Sequence, residues 1–554
     1  MPKETARTRR QGMTKRQLLL VAAATSVAAS GAKVLAAAEP MKPLPNVDRL
    51  RALKLSHYPE LSKNELGMLH YQYRKATSPA GDWSLWEPSV TFGEGPGVAG
   101  NELEGTQFDL YNSAHAVAHA VNKTPAYREF AETVLGAIAD KGFDDRSWRY
   151  WTENRSQSGN NGLFMPYSPD PMLQSDAMYV GNMGATLSYY ALMTDSRRFD
   201  RPHEFIYRGA GFEMDGTRMT TGQAWSYGWK DIVESFAKQI MQSNERLVMC
   251  QIPTEYFMCN LSIAQTILAY DRVHGTDYAD VLYRKNGFFD VTGEEMFDPP
   301  RSTGKPPRSV IFGKRKIGNG WVSIPSYSPG DIYLTFGLYP LKPDWAMDTY
   351  PMARNQWYRD NASGDGSWVF SFDGHPGNAT QDYYATVAGA LASAYARDAE
   401  TRKKTLAYIE RLAQPTWDGD MLVHKFAYTK PEEYLRAGVF QARVLAATAA
   451  AEGSPMAHFN LDRRRFKEPT LVDAPYPSVK VRRATFDREA SALVVSLTAE
   501  RATTMRVANL APHSKAIVLC DRGAPKPMSV PAGPGGLALE TPAGEHDFVI
   551  GVQI

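Results

Sequence analysis

Between residues 60 and 452 apolar side chains recur every three or four positions, in blocks separated by Gly, Pro and aromatic loops. That period predicts helices, over 108–121, 127–140, 179–194, 225–242, 259–274, 279–286, 330–339, 345–358, 380–397, 403–412 and 431–451. No convincing strand ladder interrupts them. A dozen or so helices in hairpins predict a mainly α fold, an (α/α)6-type toroid of paired inner and outer helices whose inner ends form a cup. An irregular helical bundle is the alternative. Two long stretches, 143–177 and 292–329, exceed ordinary connections and read as walls of the cup. After 452 the pattern changes to short β-branched runs (VKVRRATFD, ALVVSLTAE, TMRVANL, AIVLC, HDFVIGVQI) with turn signals between them, which predicts a small C-terminal β-sandwich. The expected division is a helical catalytic domain over 39–452, a linker over 453–476 and the sandwich over 477–554.

Residues 1–38 read as a targeting segment. Arg9, Arg10, Lys15 and Arg16 precede the apolar run from Leu18 to Ala24, and Ala36-Ala37-Ala38 offers a small-residue cleavage site. Thr14-Lys15-Arg16-Gln17-Leu18-Leu19 is similar to a twin-arginine signal with Lys in the first Arg position. The run is too short and too rich in Ala and Ser for a spanning helix. A periplasmic or secreted bacterial protein without a stable membrane span is the expectation. Export in the folded state would let buried thiols arrive reduced.

Composition narrows the partners. Against 62 basic residues stand 60 acidic ones, with no long basic tract past the N-terminus, so nucleic acid is excluded as an expected partner. The 28 Tyr and 11 Trp suit either an aromatic core or a ring-lined cavity. Three cysteines in 554 residues make no disulfide framework. Cys520, inside the AIVLC run, reads as a small buried hydrophobe.

Phosphate loops, dinucleotide fingerprints, serine-nucleophile elbows and metal-spaced His/Cys clusters are missing from the sequence. His115 and His119 stand four apart on one predicted helix without the glutamate of a zinc protease motif, and packing or solvent exposure is their expected fate. No cofactor and no metal are expected. What remains is Cys250 and Cys259, eight residues apart, the first on a Pro253-containing loop and the second at the head of a helix that Gly275 stops. A thiol near a helix N-terminus feels its positive end, which favours thiolate. The spacing alone leaves three readings open: a reactive pair, a structural disulfide, and two unrelated buried thiols.

The run Cys250-Gln251-Ile252-Pro253-Thr254-Glu255-Tyr256-Phe257-Met258-Cys259-Asn260, followed by Tyr270-Asp271-Arg272-Val273-His274-Gly275-Thr276-Asp277-Tyr278, resembles the linalool dehydratase/isomerase family. Met178-Tyr179, the helix end Thr194-Asp195-Ser196-Arg197-Arg198-Phe199, and Ser326-Tyr327 are similar to further family segments. The resemblance spans roughly 100–450. It implies an α/α toroid, a ring-shaped homo-oligomer, and cofactor-free loss or addition of water at a small apolar allylic alcohol or alkene. In that chemistry the cysteine pair supplies acid and base, and the allyl cation is shielded from water by aromatic walls. The implied catalytic set is Cys250, Cys259, Tyr327, Asn182 and Asp82, with Phe108, Trp151, Tyr179, Tyr256 and Phe257 against the substrate. Asn182 stands where the family has a His, Phe108 where it has a Tyr, and Asp82 is the stand-in for a family Asp. These replacements make another alcohol or alkene a better expectation than linalool.

Two other functions fit parts of the sequence. A helical toroid followed by a sandwich also suits polysaccharide lyases and glycosidases, by fold analogy alone, with Asp144, Asp145, Glu153, Asp365, Asp418 and Asp420 as the acid–base pool. A non-catalytic binding protein, its Cys250–Cys259 loop stapled by a disulfide, is the third.

Overall fold

Helix starts are set by local capping. Ser62 accepts the Glu65 N–H while the Glu65 carboxylate accepts the Ser62 N–H, a reciprocal box that opens Lys63–Ala76. In the same way the Asp398 side chain accepts the Thr401 N–H to open Ala399–Ala413. The structure is a computed structural model, described over residues 43–86, 101–144, 147, 170–172, 177–207, 222–250, 254–326, 328–372, 375–376, 379–424, 426–427, 434–435, 438–450, 459–533 and 535–553. The targeting segment 1–38, most of the loop 143–177 and residues 453–458 of the expected linker lie outside the described residues.

The helices are α1 (Val47–Ala52), α2 (Lys63–Ala76), α3 (Asn101–Val121), α4 (Arg128–Gly142), α5 (Ala177–Thr194), α6 (Trp229–Gln242) and α7 (Phe257–His274), then α8 (Asp280–Tyr283), α9 (Phe288–Glu295), α10 (Ser328–Leu338), α11 (Pro343–Trp357), α12 (Ala379–Tyr395), α13 (Ala399–Ala413) and α14 (Gly438–Ala449). Their packing runs in a cycle: α3 on α5, α5 on α7, α7 on α10, α10 on α12, α12 on α14, and α14 back on α3. Intervening helices pack against members of this cycle, α6 on α5 and α7, α11 on α10, α13 on α12. The two sets differ in burial as their sequences demand. Almost every residue of α5 is buried, whereas α6 buries the single stripe Trp229, Ile232, Val233, Phe236 and Ile240. None of the described helices is long and apolar enough to cross a membrane.

Predicted helix positions hold with shifted ends, and two local readings change. The start of the predicted 225–242 helix is a strand instead. Gln223–Tyr227 alternates half-buried and exposed residues and pairs antiparallel with His203–Tyr207, and only after Gly228 does the period become helical. The helical region also holds small sheets that the periodicity missed. Among them β1 (Thr254–Tyr256) pairs with β2 (Ser309–Ile317), which pairs with β3 (Gly320–Pro325). The long stretch 292–329 thus contains a hairpin over 309–325.

The C-terminal region is β, as the sequence predicts. Its strands are β4 (Thr470–Val472), β5 (Val479–Asp487), β6 (Ala492–Ala499), β7 (Thr503–Ala508), β8 (Lys515–Cys520), β9 (Lys526–Ser529), β10 (Leu537–Thr541) and β11 (Gly544–Val552). One antiparallel sheet runs β5-β6-β11-β8-β9 and the other β4-β7-β10. Because β4 pairs with β7, the end of the expected linker belongs to these sheets. Alternate residues of the larger sheet serve two cores. Leu493, Val495 and Leu497 join the main core, while Ala492, Leu519 and Val549 close over Leu50 of α1. The same region is stitched to the helices: Leu61 and Ala126 donate their N–H groups to the carbonyls of Arg482 and Ala484, and Leu471 donates to Ala126.

Candidate active site

Cys259 is the third residue of α7, and Cys250 lies on the loop before β1. The Cys250 N–H donates to the Thr254 carbonyl at 2.9 Å, which folds the loop back on itself. The two Sγ atoms stand 3.7 Å apart, in thiol contact and not joined as a disulfide. Cys250 is fully buried and Cys259 half-buried.

Asn260 holds this arrangement. Its Oδ1 accepts the Val248 N–H at 2.7 Å, and its Nδ2 donates to the carbonyls of Val248 and Tyr256, each at 2.9 Å. One buried amide therefore fixes the loop to the head of α7. Tyr256 is half-buried against Phe312, and its hydroxyl is pushed above the usual range by burial and then by the two thiols, which places it in their field. Phe257 is buried at the start of α7.

The structure brings Asn182 to the same place. A β-carbon added at Gly181 would lie 3.2 Å from the Cys259 carbonyl oxygen and 3.2 Å from Ser262 Cβ, so α5 meets the first turn of α7 at van der Waals distance. Ser262 Oγ donates to Asn182 Oδ1 at 3.3 Å, while the buried Asn182 Nδ2 has no hydrogen-bond partner among the described residues. A buried amide donor left open is costly unless something polar arrives.

Other expected residues fall elsewhere or are spoken for. Tyr179 is buried and donates its hydroxyl to the Gly142 carbonyl at 2.8 Å, at the end of α4, which engages the hydroxyl that a substrate contact would use. Phe108 is half-buried on α3. Asp82 sits in a turn where its carboxylate accepts the Ser84 N–H at 2.9 Å, a bond that holds it below its ordinary range, and Lys141 donates to its backbone carbonyl. Beside Phe108, in contrast, Asp109 is wholly buried and takes Lys75 Nζ at 2.6 Å, with Ser113 on the same oxygen. Tyr327 and Trp151 lie outside the described residues.

Sequence reasoning missed Asp331, in the first turn of α10, the helix packed against α7. Burial pushes its carboxyl up to about 6, against hydrogen bonds from Ser326 and from Trp357 Nε1, the latter at 2.8 Å. Its Oδ1 is buried without a hydrogen-bond partner among the described residues. The available signal was its position four residues after Tyr327, in a helix of otherwise apolar and small residues. Glu255, between the cysteines, was also passed over; burial pushes it up to about 7, eased by Lys314.

Several expectations are settled by contacts. His115 and His119 are buried, as packing predicts, and each Nε2 lies 3.0 Å from the Tyr395 hydroxyl. Of the carboxylates in the carbohydrate reading, Asp365 is bound by Arg411 at 2.6 Å and Asp420 by Lys480 at 2.6 Å; Asp145 and Glu153 lie outside the described residues. Asp365 and Asp420 are thus held in separate ion pairs. An open pocket of about 560 Å³ lies between α2 and the sandwich, lined by His70, Trp417, Asp420, Tyr476 and Lys480, and no residue of the cysteine site contributes to it.

The described residues thus hold an unbridged thiol pair at the head of α7, with the unpartnered amide donor of Asn182 on the helix packed against it. The linalool dehydratase/isomerase family model matches residues 107–428, more than half of the chain, and the protein belongs to that family. Membership supports an enzyme of the hydro-lyase/isomerase type with a small apolar substrate.

Proposed function

We propose that this chain is a cofactor-free hydro-lyase/isomerase for an apolar, terpenoid-like allylic alcohol or alkene, working at the Cys250–Cys259 pair. The cyclic packing of six helices is read as the α/α toroid, with the head of α7 at the floor of its cup. The observation that carries the reading is the thiol pair 3.7 Å apart, with the unpartnered Asn182 Nδ2 on the helix that packs against the first turn of α7. In the dehydration direction Asn182 Nδ2 donates to the substrate hydroxyl and orients it. One thiol passes its proton to that oxygen as the C–O bond breaks and water leaves. The remaining electron-poor allyl system loses a carbon-bound proton to a thiolate, which yields the alkene and returns the pair to its starting protonation. Isomerisation shares the first step; water then adds at the far end of the allyl cation and gives its proton to the thiolate, which restores the pair. Tyr256, Phe257 and Tyr327 are the proposed walls, aromatic residues of the kind that stabilise a developing positive charge. Export through the twin-arginine-like segment 1–38 is part of the proposal, and so is a homo-oligomeric assembly.

The test is to incubate the reduced protein with a panel of tertiary allylic alcohols and follow alkene formation. Cys250→Ala and Cys259→Ala are each expected to lower turnover at least about a hundredfold, with unchanged circular dichroism. A folded, fully active double alanine variant would sink the reading.

A further inference from the structure

The C-terminal sandwich carries a cluster of side chains that the reading above leaves unused. Cys520, the last residue of β8, stands opposite Phe548 of β11 in antiparallel register. His546, two residues before Phe548, therefore shares a sheet face with the Cys520 side chain. Asp521 follows in a turn at φ +50°, in the left-handed region. The turn is pinned from both sides, because the Asp521 N–H donates to the Asp547 carbonyl at 2.8 Å and Asp521 Oδ1 accepts the Asp547 N–H at 2.8 Å. Oδ2 is left facing His546 Nδ1 at 2.9 Å and Cys520 Sγ at 3.4 Å, and Sγ stands 3.9 Å from the same Nδ1.

These distances separate two kinds of site. In a nucleophilic relay the thiol and the carboxylate engage different nitrogens of the imidazole. Here both meet Nδ1, and Nε2 is buried with no hydrogen-bond partner among the described residues. Three donor atoms thus converge on one point. Zinc bonds of about 2.3 Å to sulfur and about 2.0–2.1 Å to nitrogen and oxygen place an ion just off the plane of this triangle, with one position open. Mixed sulfur, nitrogen and oxygen ligation suits zinc(II), whereas calcium and magnesium take oxygen sets.

We propose that Cys520, Asp521 and His546 form a three-ligand zinc(II) site in the C-terminal sandwich, with water or an external group as fourth ligand. The ion ties the 520–522 turn to β11, and its binding releases the thiol proton as the sulfur–zinc bond forms. The hydrogen bond from the Asp547 N–H to the Asp521 carboxylate supplies the outer support that orients a metal ligand.

The test uses the full-length chain, treated with chelator, kept reduced, and titrated with cobalt(II) and then zinc(II). The expected result is one cobalt per chain with thiolate-to-cobalt charge-transfer absorption, displaced by zinc. The absorption should vanish in Cys520→Ser and persist in the Cys250→Ala/Cys259→Ala double variant. Asp521→Asn and His546→Gln should each weaken binding at least about tenfold, and His546→Gln reads the same ligand set should Cys520→Ser fail to fold. Three outcomes overturn the site. One is no charge-transfer absorption at neutral pH, which leaves Cys520, Asp521 and His546 as a hydrogen-bonded cluster without a metal. The others are absorption that survives Cys520→Ser and absorption that disappears in the double variant.

Discussion

Asn260 meets Val248 as a strand partner would, accepting its N–H at 2.7 Å and donating to its carbonyl at 2.9 Å. Cys250 lies two residues beyond Val248 and Cys259 one residue before Asn260, so a single side chain sets the separation of the thiols. Asn260→Ala removes three hydrogen bonds, the third being that to the Tyr256 carbonyl, and strands buried backbone groups. The expected cost is about 2–4 kcal/mol of stability. Activity should fall further than stability, since the thiols lose their fixed distance. Urea unfolding paired with turnover at a temperature where both proteins are folded checks this.

Gly181 allows α5 to touch α7. An alanine there would put its β-carbon 3.2 Å from the Cys259 carbonyl oxygen, Ile263 Cγ1 and Ser262 Cβ together, contacts that only movement of a helix relieves. Gly181→Ala is expected to destabilise by about 1–3 kcal/mol and to lower kcat by displacing Asn182. A substitution to Ala on the exposed face of α6, such as Lys238→Ala, should do neither. Thermal unfolding and steady-state kinetics distinguish the two.

Asp331 titrates near 6 in the folded chain against an ordinary 3.8. The unfolded carboxyl ionises first as pH rises, so between about pH 4 and 6 the folded state binds more protons and stability falls with rising pH. Above that window the full cost is present, about 3 kcal/mol at 1.36 kcal/mol per pH unit. Asp331→Asn keeps an acceptor for Trp357 and is expected to raise the melting temperature at pH 7.5 but not at pH 4. An equal gain at both pH values would remove ionisation as the cause.

Lys75 and Asp109 form an ion pair in which neither side chain is exposed. Burial pushes Asp109 up, and Lys75 is the main influence opposing it. Lys75→Met leaves a buried carboxyl without its cation and should cost about 3–5 kcal/mol. The double change Lys75→Met/Asp109→Leu should recover much of that loss, because no buried charge is left. A double-mutant cycle by chemical unfolding measures the difference.

How much of this was legible in the sequence depended on what each signal reports. Helix positions were readable because burial on one or all faces imposes a period of three to four, and Gly275 at φ +68° stopped α7 where the residue type says it should. Short sheets escaped because Trp225 and Tyr227 look alike in a strand and a helix, and the choice between them is made by the partner strand around Phe205. The thiols were visible as a spaced pair, but only the family resemblance favoured a reactive pair among the three readings that the spacing leaves open. Asn260 was in plain view within that motif, but its role lies in what its amide reaches across twelve residues of chain. Asp331 was invisible for the opposite reason, since burial by other segments is what changes its chemistry. Cys520 is half-buried beside a histidine 26 positions away instead of a plain core residue, because strand register brought His546 to it.

The packing of Leu50 against Ala490, Leu519 and Val549 has a consequence for how the chain matures. The first described helix finds its partners only in segments that leave the ribosome some 440 to 500 residues later. Ala126 likewise waits for Ala484 before its N–H is satisfied. A nascent chain halted after the last helix therefore lacks the residues that pack on Leu50 and that accept the Leu61 and Ala126 N–H groups. A stop codon in the final strand would take Val549 away from Leu50 while leaving Ala490 and Leu519 in the chain.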